Sequence, residues 1–193
     1  MNSDNAEDAE VHEVDLHLHT THSDGTLSPT ELVDLCAQKG LKVIAISDHD
    51  STEGVAEARS AATRHGIEII PAIELSTDVP DNEIHMLGYF VDIEDTGFQD
   101  LLRDFRAGRE DRGRQMVERL RQLGMEITWE EVERIADGAA VGRPHIAQAM
   151  IDRGYVSEWQ EAFERDIGRT GPAYVERTPL EPAEAVQVPL DNA

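Results

Sequence analysis

A short apolar run, LKVIAIS at residues 41–47, most constrains how this 193-residue chain can fold. A helix is predicted before the run, starting at the capping box SPTE (residues 28–31) and ending at Gly40. A second helix is predicted after it, starting at Thr52 and ending at Gly66. A near-continuous apolar strand between two helices is typical of a parallel strand that is covered on both faces. The pattern therefore predicts an α/β fold.

The alternation of strands and helices ends near residue 95. Further strands are predicted at 67–73 (IEIIPAI) and 84–91 (IHMLGYFV), and this order is typical of a parallel sheet or barrel. Apolar residues then recur at helical spacing in an arginine-rich segment that ends at Gly124. Later helices are predicted from a capping box at Thr128, from Arg143, and from a capping box SEWQ at residues 157–160. We therefore predict a helical lobe at residues 96–170, inserted into the α/β unit.

The chain is strongly acidic. Forty Asp and Glu against seventeen Lys and Arg give a net charge of −23. Such a surface repels nucleic acid unless a local positive site intervenes, so no duplex DNA partner is expected. Adaptation to high salt and GC-rich coding both remain open as explanations of this composition.

The cellular compartment is predicted from the cysteine content and from the length of the apolar runs. The single cysteine, Cys36, excludes an internal disulfide and fits a reducing cytoplasm. Its helical spacing from Leu32 and Val33 predicts a core residue rather than a nucleophile. No apolar run approaches the roughly 20 residues needed to span a bilayer, so no membrane partner is expected. We predict a cytoplasmic protein.

Histidines follow two of the strand-like runs. His17 and His19 form an H-x-H pair that would place both imidazoles on one side of a pleated strand. His49 follows the run at 41–47, at the carboxyl end of its strand, where α/β sheets assemble their sites. Asp48 and Asp50 beside it are interpreted either as acceptors that orient imidazoles or as solvated turn residues.

Two carboxylates and a further histidine complete the pattern. Asp24 lies in a Ser-Asp-Gly turn, Glu74 directly ends a predicted strand, and His85 takes the opposite strand face from its apolar neighbours. Imidazole nitrogen with carboxylate oxygen is ligand chemistry for zinc, manganese or iron. The pattern predicts a polynuclear metal site with hydrolytic chemistry. A hydrogen-bonded core histidine is the alternative interpretation of His85.

Four blocks together carry a family resemblance: DLHLHTTHSDGTLSP, AISDHDSTEG, PAIELST and IHMLGY. In order and spacing they are similar to the polymerase-and-histidinol-phosphatase (PHP) family of metal-dependent phosphoesterases. The segments VGRPHIAQAMIDRGYV, EAF and GPAYVER further resemble the subgroup that acts on nucleoside 3′,5′-bisphosphates and on short RNA from the 5′ end. The resemblance extends over residues 14–186.

The resemblance implies the amino-terminal part of a distorted (β/α)7 barrel with an inserted helical lobe, and a site of divalent metal ions. Manganese is expected, with iron or zinc as alternatives. Glu74 matches a carboxylate that bridges metals, and a metal-activated hydroxide would attack a phosphate ester. Arg143 and His145 match catalytic residues that contact the substrate phosphate; for Arg143, a solvated helix start is the alternative. The positions that match metal ligands are His17, His19, Asp24, His49, Glu74 and His85.

The family pattern continues with a histidine and an Asp-x-His motif, but no histidine follows His145 in this chain. We therefore predict an acidic disordered leader at 1–13, the barrel part at 14–95, the lobe at 96–170 and a truncated return to the barrel at 171–193. The expected substrate is a nucleotide or short RNA. The alternatives are an inactive metal-binding module that needs a complementary segment, with self-association, and a histidinol-phosphate phosphatase, against which the lobe argues.

Overall fold

A computed structural model describes residues 13–79 and 82–176, and within these ranges the sheet has four strands in the order β1-β2-β3-β4. The strands are β1 (Val14–Leu18), β2 (Val43–Ile46), β3 (Glu68–Val79) and β4 (Asn82–Tyr89). The first three are parallel, whereas β4 is antiparallel to β3. The alternating strands and helices confirm the predicted α/β class.

Helices follow the strands in the order that the sequence predicts. They are α1 (Pro29–Gln38), α2 (Gly54–Ala62), α3 (Thr96–Gln122), α4 (Trp129–Ala136), α5 (Arg143–Asp152) and α6 (Trp159–Ala162), which continues into a π-helical turn at Phe163–Ile167. No helix in the described ranges is long and apolar enough to cross a membrane.

The structure confirms three of the predicted helix starts and corrects two others. Helix α5 begins at Arg143, as predicted. Reciprocal capping boxes begin α1 at Ser28 and α4 at Thr128. The box predicted at residues 157–160 is wrong, because the backbone and hydroxyl of Ser157 donate to Glu161, one residue further along. Thr52 does not open α2, which begins after Glu53 without a side-chain cap.

Strand β3 is longer than predicted because it changes partners along its length. Its first residues pair with β2 as far as Pro71, and its pairing with β4 begins at Ala72. Glu74 therefore lies within a strand, paired with Leu87, and does not end one. The antiparallel direction of β4 follows from chain length: only residues 80 and 81 separate the two strands, and a parallel return needs a crossover of about a dozen residues.

The described residues contain separate hydrophobic cores. One lies between the sheet and helices α1 and α2, and it includes Val33, Ile46 and, as predicted, Cys36. Another lies among α3 to α6 and includes Leu120 and Met150. The boundaries of the lobe at 96–170 stay a prediction. Residues 1–12 of the predicted leader and residues 177–193 of the predicted return fall outside the described residues.

Two glycines of α3 provide a matched test of the helical core. A Cβ atom on Gly113 would lie 2.9 Å from Cζ3 of the buried Trp129, whereas one on Gly108 would meet nothing within 4 Å. We expect Gly108→Ala to raise the free energy of unfolding by about 0.5–1 kcal/mol, since alanine is the better helix former. Gly113→Ala should instead lower it by about 1–3 kcal/mol through overpacking. Urea denaturation measures both, and equal stabilisation by the two variants would contradict this packing.

Candidate metal centre

The structure brings together all six residues that the sequence predicts as metal ligands. His17 lies in β1 and His19 just after it, Asp24 lies in the following loop, and His49 follows β2. Among the described residues, their ligand atoms form three overlapping groups, each within 4.8 Å: His17, His19 and Glu74; His19, Asp24 and His49; and His49, Glu74 and His85. Their role as ligands stays a prediction, but the convergence that it requires is present.

The carboxylate of Glu74 lies at the middle of the cluster. Its Oε2 is 2.7 Å from Nε2 of His17 and 2.9 Å from Nε2 of His19, and its Oε1 is 2.5 Å from Nδ1 of His85. Burial alone would raise the pKa of Glu74, but hydrogen bonds from His19, His85 and His17 hold it well below its usual range. Glu74 is therefore a carboxylate with one oxygen directed to each side of the cluster.

His49 has a ring nitrogen that could bind a metal ion. Its Nδ1 is buried and has no hydrogen-bond partner among the described residues. Burial and the nearby charge of Arg109 lower the pKa of His49 to about 2, so the ring is neutral at physiological pH. A neutral imidazole with an unshared nitrogen beside carboxylates is the donor chemistry that divalent transition metals need. The cluster therefore fits such an ion.

His19 differs from His49 in its protonation. Burial lowers its pKa, but the hydrogen bond to Glu74 and the charges of Asp24 and Asp48 outweigh burial, and the net shift is upward. A metal ion bound by His19 therefore competes with a proton, which couples metal affinity to pH.

The prediction that Asp48 and Asp50 orient imidazoles is wrong: within the described residues, neither carboxylate is hydrogen-bonded to a histidine. The buried carboxylate of Asp48 accepts hydrogen bonds from the backbone and hydroxyl of Thr20, at 2.7 Å each, and from Ser23 Oγ at 2.6 Å. It reaches His19 only through Ser23, whose Oγ is 3.3 Å from Nδ1 of His19. Asp48 thus holds the loop that carries Asp24. Asp50 is buried rather than solvated and is paired with Arg109.

We use "histidine cavity" for a space of about 200 Å³ over the cluster, lined by Asp24, His49, His85, Ser76, Arg109, Arg112 and Arg143 among others. Arg109 donates to Ser76 Oγ at 2.6 Å and also to Asp50. Sequence reasoning missed Arg109 and Arg112, because nothing in the arginine-rich α3 distinguishes the inward-facing arginines from the others. The lining of the cavity combines a carboxylate and two imidazoles with guanidinium groups.

The structure separates the two residues predicted to contact one phosphate. Arg143 lines the histidine cavity, with its guanidinium 5.3 Å from the ring centre of Phe163. His145 lines a neighbouring cleft that shares Asp24 and Pro144 with the cavity. The His145 ring is buried and its Nδ1 accepts a hydrogen bond from the backbone of Gly142 at 3.0 Å. Burial lowers the pKa of His145. The roles of both residues stay predictions.

Comparison with known protein families shows which family the chain belongs to. The family model of the PHP domain matches residues 15–162. The chain belongs to the PHP domain family. This confirms the resemblance carried by the four sequence blocks.

Relatives of this PHP domain include enzymes named for RNA and nucleotide substrates. It is 36% identical over 163 residues to the 5′-3′ exoribonuclease Rnm of Salmonella typhimurium, covering 83% of this chain and 56% of that protein. It is 33% identical over 163 residues to the 3′,5′-nucleoside bisphosphate phosphatase of Chromobacterium violaceum, covering 84% and 57%. The chain thus spans little more than half the length of these curated relatives.

Solved structures of similar proteins confirm the fold as a partial PHP barrel. An amidohydrolase from Chromobacterium violaceum, solved with bound sulfate and no metal, superimposes with a TM-score of 0.87 at 31% identity, over 94% of this chain and 64% of that one. A protein of Bifidobacterium adolescentis described as a metal-dependent phosphoesterase gives 0.86 at 31% identity, over 93% and 63%.

Metal analysis tests the cluster directly. We expect His17→Ala/His19→Ala to lose most of the metal that the wild-type protein retains, because these histidines belong to two of the three donor groups found among the described residues. His65→Ala is the matched control, since His65 is bonded to Asp34 and belongs to none of the groups. Inductively coupled plasma mass spectrometry after manganese loading and dialysis measures the ratio. Equal metal content in the double variant and the control would contradict the assignment.

Proposed function

We propose that this PHP domain carries the metal site of a phosphoesterase that hydrolyses nucleotide phosphate esters. The substrates would be nucleoside 3′,5′-bisphosphates or short RNA attacked from the 5′ end. The observation that carries the proposal is the histidine cavity, whose described lining combines three of the predicted metal ligands with three arginines.

Divalent ions bound in the cluster would act as Lewis acids and lower the pKa of a coordinated water. We propose manganese, with iron or zinc as alternatives, because imidazole and carboxylate donors suit all three. His17, His19, Asp24, His49, Glu74 and His85 would hold the ions. The bridging role of Glu74 is supported by its geometry, since Oε2 is directed to His17 and His19 and Oε1 to His85.

The arginine side of the cavity would bind the phosphate. Guanidinium groups bind phosphate oxygens through paired, charge-assisted hydrogen bonds. We propose that Arg143 contacts the phosphate from the histidine cavity and that His145, held neutral by burial, contacts it from the neighbouring cleft. Glu74, Arg143 and His145 would then be the catalytic residues.

The names of the relatives and the charge of the chain support a small substrate. One relative is named for RNA and another for nucleoside bisphosphates, whereas none reported above is named for histidinol phosphate. A net charge of −23 repels long polyanions, so a short substrate held by local arginines fits better than duplex DNA. A cytoplasmic location is part of the proposal, because a chain with a single cysteine fits a reducing compartment.

Arg143→Ala tests phosphate binding. In the protein supplemented, where needed, with the carboxyl-terminal segment of a relative, the variant should lose about 2–4 kcal/mol of transition-state stabilisation, the scale for one charged oxyanion donor. Its metal content should not change. The measurement is kcat/KM for adenosine 3′,5′-bisphosphate with manganese. Arg103→Ala is the control, since Arg103 is exposed and forms a surface ion pair with Asp100 on the same helix. An unaltered rate in Arg143→Ala would contradict phosphate binding and favour the alternative, in which Arg143 is only a solvated residue at the start of a helix.

A second candidate function is a metal-binding module that becomes active only with a complementary segment. The coverage of 56% and 57% of the relatives' lengths favours it. In this case the 193-residue chain should bind manganese but hydrolyse the bisphosphate slowly, and the carboxyl-terminal segment of a relative, added in trans, should restore the rate. Turnover by the isolated chain at the rate of a full-length relative would overturn this candidate.

A further inference from the structure

A second cleft adjoins the histidine cavity, and the proposed chemistry does not account for most of it. It has a volume of about 620 Å³ and lies between the loop at residues 21–26 and the helices α4, α5 and α6. Asp24 and Pro144 line both spaces, so the two spaces adjoin along these residues. We name it the Trp159 cleft, after the aromatic residue on its wall.

The Trp159 cleft has the opposite charge character from the histidine cavity. The cavity is lined by three arginines, but no Arg or Lys is among the described residues that line the cleft. The cleft instead presents the carboxylates of Asp24, Glu53 and Asp137, of which Glu53 lies 3.4 Å from a guanidinium nitrogen of Arg106 and 3.8 Å from Nδ1 of His22. Carboxylates repel phosphate and accept hydrogen bonds from amino and hydroxyl groups. The cleft therefore suits an uncharged part of a ligand that carries hydrogen-bond donors.

The wall and floor of the cleft suit a flat aromatic ring. Trp159 is 43% exposed, and side chains of Ile135, Ala136, Ala139 and Pro144 supply apolar surface beside it. An exposed tryptophan at the wall of a pocket is a large apolar surface of the kind that marks binding sites. The cleft thus joins an aromatic face, an apolar floor and acceptor groups.

The orientation of the Trp159 indole is set by hydrogen bonds. Its Nε1 donates to Oε1 of Gln148 at 3.0 Å, and Nε2 of Gln148 donates to Asp152 at 2.8 Å. Both partners belong to α5, so the edge of the ring is tied to the helix that carries Arg143 and His145. With its N–H group already bonded, the indole offers a ligand its ring face, and a rigid ring face loses little entropy on stacking.

We propose that the Trp159 cleft binds the base of the nucleotide whose phosphate lies in the histidine cavity. The base stacks on Trp159, and Glu53 and Asp137 accept hydrogen bonds from its exocyclic amino group or from ribose hydroxyls. The proposal rests on the proposed function, because it takes the substrate to be a nucleotide. It adds the part of the site that distinguishes a nucleotide from a phosphate ester without a base.

Adenosine is the probe that tests the cleft separately from metal and phosphate chemistry. Binding is measured by titration calorimetry on the whole chain in EDTA, with ribose as the base-free control. Adenosine should bind and ribose should not. Trp159→Ala should weaken adenosine binding about 5- to 100-fold, the range for losing one base–aromatic stack, while Trp159→Phe should retain most of it. Phe90→Ala is the matched control, since Phe90 is 64% exposed and does not line the cleft.

Fluorescence supplies a readout at the residue itself. The chain has two tryptophans, and in a Trp129→Phe background, checked for folding by circular dichroism, Trp159 is the remaining emitter. Adenosine should quench its emission saturably. No quenching, or equal binding by wild type and Trp159→Ala, overturns the base subsite even where metal binds and phosphate esters are hydrolysed. Adenosine bound through Trp159 by a protein that shows no metal-dependent hydrolysis, with its complementary segment supplied, supports the subsite and overturns the proposed function alone.

Discussion

The site depends on one buried carboxylate that three imidazoles surround. Glu74 is 2% exposed, and His17, His19 and His85 lie within hydrogen-bond distance of its two oxygens. A buried carboxylate without partners costs several kcal/mol, and the three imidazoles offset that cost. His17 and His19 lie at the end of β1 and His85 lies in β4, so the assembly of the sheet is what brings them to Glu74.

The histidines reach Glu74 because β3 changes its pairing partner along its length. As far as Pro71 the strand pairs with β2, and an isolated bridge then ties Glu74 to His49. On its other edge, Ser76 pairs with His85 in the β3–β4 hairpin. Because side chains alternate across a strand, Glu74 and Ser76 lie on one face of β3. His49 pairs with Glu74 and His85 pairs with Ser76, so both histidines lie at this face. A shift of one residue in either register would place Glu74 on the wrong face.

Local patterns predicted the features that depend on few residues. Helix starts at Ser28 and Thr128 follow from capping boxes, and the convergence of the six predicted ligands follows from strand ends and family motifs. The partners of Asp48 and Asp50 and the position of Glu74 within β3 depend instead on contacts between distant segments. Arg109 could not be distinguished from other arginines of α3 by spacing, since its role depends on how that helix crosses the sheet.

The start of α5 has a consequence for which molecules the site can accept. Arg143 and His145 are separated only by Pro144, yet they line different spaces. Proline fixes one backbone torsion, and the hydrogen bond between Gly142 and His145 closes the first turn. The backbone that carries the two side chains is therefore restrained, although the long side chain of Arg143 can still turn. A molecule that contacted both residues would have to reach from one space into the other past the ring of Pro144, which lines both.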